Sequence, residues 1–173
     1  IQYNKSKKKA TELENRLKRS KNRFSAYQFD FEKDKNISNF FKKVVNKFGN
    51  FDILINNAST FEFDTISNST EKVFDKHMDV NLKAPFFLSQ NFIKYLKNKE
   101  GLIINIIDQR VDNITPYFTS YTLSKSALLT LTKSLALYLA PKVRVNGISP
   151  GPTLMSKNQN TSQFKSQILR TPL

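Results

Sequence analysis

Five short apolar runs alternate with helical stretches along the 173 residues. The runs are Ile1 to Tyr3, Phe24 to Phe29, Phe51 to Ile55, Leu102 to Ile107 and Val143 to Ile148. Lys7 to about Asn22 reads as a charged helix, with Leu13 and Leu17 one turn apart. Ile37, Phe40, Phe41, Val44, Val45 and Phe48 fall on one face of a second helix, which stops near Gly49. A polar loop runs to about Ser69. Thr70 to Lys97 is helical, with a break near Val80 and Asn81. A long helix starts after Thr119 and ends before Pro141, and a short one covers about Thr161 to Leu169. Strands separated by whole helices require βαβ crossovers. The expectation is an α/β fold: a doubly wound parallel sheet with helices on both faces.

Ligands of open parallel sheets bind beyond the carboxyl ends of the strands. The residues just past each run are therefore candidates for a site. Asn4, Lys5 and Ser6 come after the first run, and Asp30 and Phe31 after the second. Asn56, Asn57, Ala58, Ser59, Thr60 and Phe61 come after the third. Asp108 comes after the fourth, and Pro150, Gly151, Pro152 and Thr153 after the fifth. Five such edges in register point to one shared cleft.

Composition narrows the chemistry. There is no Cys, so disulfides and thiolate metal sites are excluded. One His, His77, argues against a His-based metal centre, and its position is read as a helix surface. No apolar run is long enough to span a membrane, and the opening residues carry no signal-peptide pattern. A cytoplasmic protein with neither a membrane nor a nucleic-acid partner is expected. The net charge is +14. Its dense part is only Lys5 to Lys9, with a looser cluster from Arg16 to Arg23, and no nucleic-acid fold signature stands beside either. The charge reads as solvated Lys-rich faces whose positive field favours an anionic cofactor or substrate.

Tyr121 and Lys125 are spaced i,i+4, so one helix face presents both. An ammonium near a phenol favours the phenolate and is expected to lower its pKa, making Tyr121 a usable acid or base near neutral pH. Asp108, at the end of the preceding strand, can join them.

The ordered segments DILINNAS, VNLKAPF, GLIINIID, SYTLSK and VRVNGISPGPT resemble the short-chain dehydrogenase/reductase family, nearly end to end. The resemblance implies a Rossmann-like domain and a proton relay. Asn81 would hold a relay water through its main chain in a kinked helix. Tyr121 would be the acid/base, and Lys125 would bind the nicotinamide ribose. Asp108 stands where most members carry Ser. Pteridine reductases of the family have Asp there, and their Phe after the NNAS segment stacks on the pterin; Phe61 matches it. Lys5 and Ser6 would select NADP(H) over NAD. Asp30 and Phe31 would contact the adenine. Asn57, Ala58 and Ser59 would line the cofactor, with Ser59 also reaching the substrate. Pro150, Gly151 and Thr153 would lie over the nicotinamide. The family's Thr two residues further on is Met155 here.

The resemblance thus implies an NADPH-dependent reductase of a dihydropterin or dihydrofolate-type small molecule. A carbonyl reductase such as a 3-oxoacyl-carrier reductase is the enzymatic alternative. A non-catalytic basic binding module on a Rossmann scaffold is the alternative of another class. A homodimer or homotetramer through the Asn81–Lys97 and Thr119–Ala140 helices is implied as well.

No Gly precedes Gly49, so the family's glycine-rich turn is not among these residues. The chain reads as one partial NAD(P)-binding domain, residues 1–173, an internal fragment without the family's first and last strands. The 173-residue chain alone is therefore expected to be inactive. Cofactor fluorescence titration should show no micromolar binding of NADPH to it.

Overall fold

A computed structural model describes residues 1–18, 24–97, 99–155 and 160–169. The element order is β1 (Gln2–Tyr3), α1 (Lys7–Lys18), β2 (Tyr27–Gln28), α2 (Ile37–Phe48) and β3 (Ile53–Asn56). Then come α3 (Glu71–Met78), a π turn (Asp79–Lys83), α4 (Ala84–Leu96) and β4 (Gly101–Ile106). A 3-10 turn (Gln109–Val111), α5 (Thr119–Leu139), β5 (Val143–Ile148) and α6 (Thr161–Leu169) complete it. The alternating strands and helices match the expected α/β plan. The second strand is shorter than expected, because only Tyr27 and Gln28 find partners on β1. The end of the expected first helix and Arg23 lie outside the described residues.

Every strand pairing is parallel. β1 pairs with β2, while β3, β4 and β5 form a second sheet in that order. β4 is central there. It matches Ile53 to Leu102 and Asn56 to Asn105 on one side, and Gly101 to Val143 and Ile106 to Ile148 on the other.

Local chemistry explains the helix limits. Asn36 caps α2 by accepting from the Asn39 N–H at 2.9 Å, and Gly49 closes it at φ 79, a conformation that favours glycine. Thr70 caps α3. The expected break in the third helical segment is the π turn, which inserts an extra residue per turn and shifts the register between α3 and α4.

The main core joins Phe41 of α2, Phe92 and Leu96 of α4, Ile103 of β4, and Val143 and Val145 of β5. Leu135, Ala136 and Leu139 of α5 close over it. Gly101 lets the end of α4 approach the sheet: a Cβ there would lie 2.8 Å from Leu96 Cδ2. Next to the apolar core lies a buried polar ladder. Asn56 Nδ2 donates to Asn105 Oδ1 at 2.8 Å, and Asn105 Nδ2 donates to Thr132 Oγ1 at 2.8 Å. It pins β3, β4 and α5 at a fixed height.

On the opposite face of the larger sheet, Ile53, Ile55 and Ile148 are exposed. Between β1–β2 and β3 lies an apolar cavity of about 630 Å³, lined by Ile1, Tyr27, Phe41, Leu54 and Asn56 among others. The buried Tyr27 hydroxyl and Asn56 Oδ1 have no hydrogen-bond partner. Among the described residues, no helix is long and apolar enough to cross a membrane.

Phe92 is 1% exposed and touches both the α2 and the sheet side of the core. Phe92→Ala should cost about 3–5 kcal/mol of stability, read as a lower urea midpoint with an unchanged slope.

Candidate active site

Asp108 sits one residue beyond the end of β4's apolar run, in extended backbone. Its two carboxylate oxygens have separate tasks. Oδ1 accepts from the Arg110 N–H at 2.9 Å and so caps the 3-10 turn. Oδ2 accepts from the Tyr121 hydroxyl at 2.7 Å. Tyr121 is in the first turn of α5 and is 5% exposed. Lys125, one turn later, is buried and donates to the Ile106 carbonyl at 2.8 Å. Its Nζ lies 5.8 Å from the Tyr121 ring centroid. The three residues singled out from sequence are thus brought together.

The electrostatics differ from expectation. Burial raises the Tyr121 pKa above the ordinary phenol value, and the hydrogen bond and charge of Asp108 raise it further. Arg110 and the Ser59 hydroxyl oppose this only in part. The expected lowering by Lys125 is not found: burial first, and then the carboxylate at 2.7 Å, set the direction. Lys125 itself is pushed down to about 8 by burial, with the Asp108 charge pulling the other way. Tyr121 is therefore held firmly protonated.

Asn81 lies in the π turn and is fully buried. Its Oδ1 accepts from the Thr60 N–H at 2.8 Å and from Ser59 Oγ at 3.1 Å. Its Nδ2 donates to the Thr60 carbonyl and to Ser124 Oγ, both at 3.0 Å. The side chain thus ties the loop after β3 to α5 and is wholly engaged, leaving only main-chain groups for a relay.

A second buried network was not legible in the sequence. Ser120 Oγ donates to Asp64 Oδ2 at 2.5 Å, and Asp64 also accepts from the Ser120 N–H and from Ser69. His77 Nδ1 meets Ser120 Oγ at 2.7 Å, and its Nε2 accepts from the Glu62 N–H at 3.1 Å. With Nε2 accepting, the neutral ring carries its proton on Nδ1 and donates it to Ser120. His77 is fully buried, which corrects its reading as a surface residue. Burial lowers its pKa. Burial would raise the pKa of Asp64, but the hydrogen bonds from Ser120 and Ser69, aided by His77, outweigh this and bring it below the usual range. Asp64 thereby caps the first turn of α5 from outside the helix, next to Tyr121. The contact joins residues 56 apart, so no local pattern announces it.

Phe61 meets Tyr121 edge-on at 4.6 Å. It is also stacked against Phe118, at 4.2 Å and 10°. Phe118 has a left-handed backbone, φ 59, unusual for a bulky residue. Its N–H donates to the Asp64 carbonyl at 2.7 Å, which holds it there.

The residues matched to cofactor contacts line the carboxyl ends of the strands. Lys5 and Ser6 are exposed between β1 and α1, and Asn57 is exposed after β3. Ala58 is half-buried and lines the cavity; Ser59 is bonded to Asn81. Pro150 is half-buried beyond β5, while Gly151 and Thr153 are exposed and linked by a 2.8 Å Thr153 N–H to Gly151 carbonyl bond. Asp30 uses Oδ1 to accept from the Glu32 N–H. Phe31 is the exception: its ring is buried in a core cluster with Ile37 and Ala84, so only its main chain can face an adenine.

A family model for short chain dehydrogenases matches residues 1–166. An uncharacterised oxidoreductase of Thermotoga maritima is 41% identical over 114 residues, 65% of this chain and 45% of that protein. A 3-oxoacyl-(acyl-carrier-protein) reductase, FabG, of Buchnera aphidicola is 33% identical over 159 residues, 88% of this chain and 64% of that protein. Among solved structures, FolM alternative dihydrofolate reductase 1 from Brucella canis, complexed with NADP, superposes with a TM-score of 0.94 at 38% identity. That match covers 100% of this chain and 69% of the other. The chain spans less than half the length of the Thermotoga relative and under two thirds of the Buchnera one.

Lys125 has an ordinary pKa of 10.5 and about 8 in the fold. Between these values the unfolded chain binds more protons, so stability rises with pH, and the full cost is present below the window. Lys125→Met lacks this slope. Its stability advantage over the parent should be greatest near neutral pH and shrink by roughly 2–3 kcal/mol towards about pH 10, read by urea titration at both.

Proposed function

The chain belongs to the short-chain dehydrogenase family, and we propose that it carries the proton-donating half of an NADPH-dependent reductase acting on a dihydropterin or dihydrofolate-type ring. The observation that carries this reading is the 2.7 Å Tyr121–Asp108 hydrogen bond with Phe61 edge-on beside it. A carboxyl group beside the phenol gives the site a second group that can pass a proton toward a ring nitrogen, and an aromatic platform suits a flat ring. The likeness to the NADP-bound FolM proteins from Brucella canis and Brucella suis, 38% and 40% identical, supports the same reading.

The chain's own residues fit such a cofactor. Lys125 makes one hydrogen bond, to Ile106, and has donors left for ribose hydroxyls. Lys5 and Ser6 present a cation and a hydroxyl beyond β1, suited to a 2′-phosphate. Asn57, Ala58, Ser59, Pro150, Gly151 and Thr153 complete the lining, with Asp30 and the Phe31 main chain on the adenine side. When bound, the nicotinamide supplies a hydride to the carbon of a substrate C=N bond. Tyr121 delivers a proton to the nitrogen, so the bond gains one hydrogen at each end. The phenolate left behind would take its proton back from solvent, and the Asp108 charge beside it favours the protonated form. Asn81 would order the proton path through its main chain. Ser59 and Phe61 would hold the substrate ring.

The Buchnera relative favours a second reading, reduction of a 3-oxoacyl thioester, in which Asp108 replaces the usual Ser and orients Tyr121. Self-association through the α4 and α5 helices is part of the proposal; Leu123, Leu137 and Tyr138 of α5 are exposed and apolar, as are Phe86 and Phe87 of α4.

The full-length protein should oxidise NADPH with dihydrobiopterin or dihydrofolate. Turnover of acetoacetyl thioesters alone would rule out the pterin reading. Tyr121→Phe should lower kcat by about 100-fold or more while leaving NADPH affinity unchanged.

A further inference from the structure

The Arg110 side chain makes no hydrogen bond to Asp108, Tyr121 or Lys125, yet it is held at the mouth of the site. It lies on the 3-10 turn that Asp108 caps, two residues from the carboxylate. Its guanidinium carbon is 4.6 Å from the Phe118 ring centroid and 5.7 Å from that of Phe61. The two rings are themselves 4.2 Å apart and parallel within 10°. A guanidinium on the outer face of Phe118 would stand much farther from Phe61. The two distances place it beside both rings, at the shared edge of the stack.

That placement leaves the cation under-used. One donor, Nη1, bonds Thr115 Oγ1 at 3.0 Å. Among the described residues no carboxylate forms an ion pair with Arg110. A guanidinium has five N–H donors, all directed from its edges, so packing against aromatic rings leaves the rest free for a bidentate acceptor. The Arg110 charge also reaches Tyr121, where it favours the phenolate. The free donors therefore lie beside Phe61, whose ring meets Tyr121 edge-on at 4.6 Å.

We propose that Arg110 is a specificity-determining residue that binds a carboxylate on the substituent of a flat substrate ring. It makes a carboxylate-tailed dihydrofolate-type compound a better substrate than a dihydropterin with a neutral side chain. This rests on the pterin reading above. A charge-assisted fork to a carboxylate is absent with a neutral tail, so the discrimination appears in KM rather than kcat.

The test is steady-state kinetics of the full-length protein with NADPH against dihydrofolate and dihydrobiopterin. Arg110→Gln should raise KM for dihydrofolate about tenfold or more and leave KM for dihydrobiopterin within about twofold, while any change in kcat from the lost charge near Tyr121 is the same for both substrates. Arg110→Lys, with the charge but not the fork, should recover part of the loss. Calorimetric titration of the NADP-saturated protein with folate and with biopterin should show the same selective weakening without turnover. Equal changes for both ligands overturn the proposal. So does a loss confined to kcat, with KM for dihydrofolate unchanged, which would mean that Arg110 acts only through Tyr121. Failure of the parent protein to reduce either compound overturns the pterin reading and this one with it. Turnover by the parent without selective loss in Arg110→Gln overturns this one alone.

Discussion

β4 is bonded in register on both edges, and that double pairing sets the height of every group in the site. Ile106 lies opposite Ile148, and the Ile107 N–H bonds the Ile148 carbonyl at 2.7 Å. Asn56 lies opposite Asn105. The residues after β3, β4 and β5 therefore emerge at one level, and Asp108 is the first charged group on the central strand to do so. Lys125 reads the same strand, through its bond to Ile106. A slip of one residue in β4 would turn Asn105 out of its polar ladder and move Asp108 away from Tyr121.

The second constraint is the N-terminus of α5. Its first-turn N–H groups need acceptors, and Asp64 supplies one from a distant loop. That single buried carboxylate also orients Ser120, and through it His77, while its own carbonyl holds Phe118 in a strained backbone. Tyr121 is the next residue along. The π turn acts in parallel: by shifting the helical register it turns Asn81 inward, where four hydrogen bonds fasten the NNAS loop to Ser124. Loop and helix are thus locked from two sides, and the phenol between them has little freedom.

The site carries a cost in stability. A buried ammonium whose pKa falls to about 8 is poorly solvated, and a phenol beside a carboxylate resists ionisation. Neither arrangement would be chosen for folding alone, since an apolar residue in the place of a buried charge commonly stabilises. Such perturbed groups cluster at functional sites, in keeping with the proton chemistry proposed above.

Much of this was present in the chain as pattern. The span of α2 was readable because its apolar face repeats with the helical period between Asn36 and Gly49. The break at Val80 and Asn81, the strand ending before Asp108 and the i,i+4 pair Tyr121 and Lys125 were readable for the same reason: each is local, and periodicity is a local signal. The features that escaped were set by contacts between distant segments. The Asp64–Ser120–His77 network, the stacking of Phe118 on Phe61 and the burial of the Phe31 ring depend on which loop reaches which helix. The sign of the Tyr121 shift belongs with them. Spacing along the chain brought an ammonium near the phenol, but desolvation and the 2.7 Å approach of Asp108 are properties of the packed interior. Local periodicity sets which elements form and which side chains share a face. Which charges are nearest, and how dry they are, follows from packing, because both depend on distances between segments far apart in the chain.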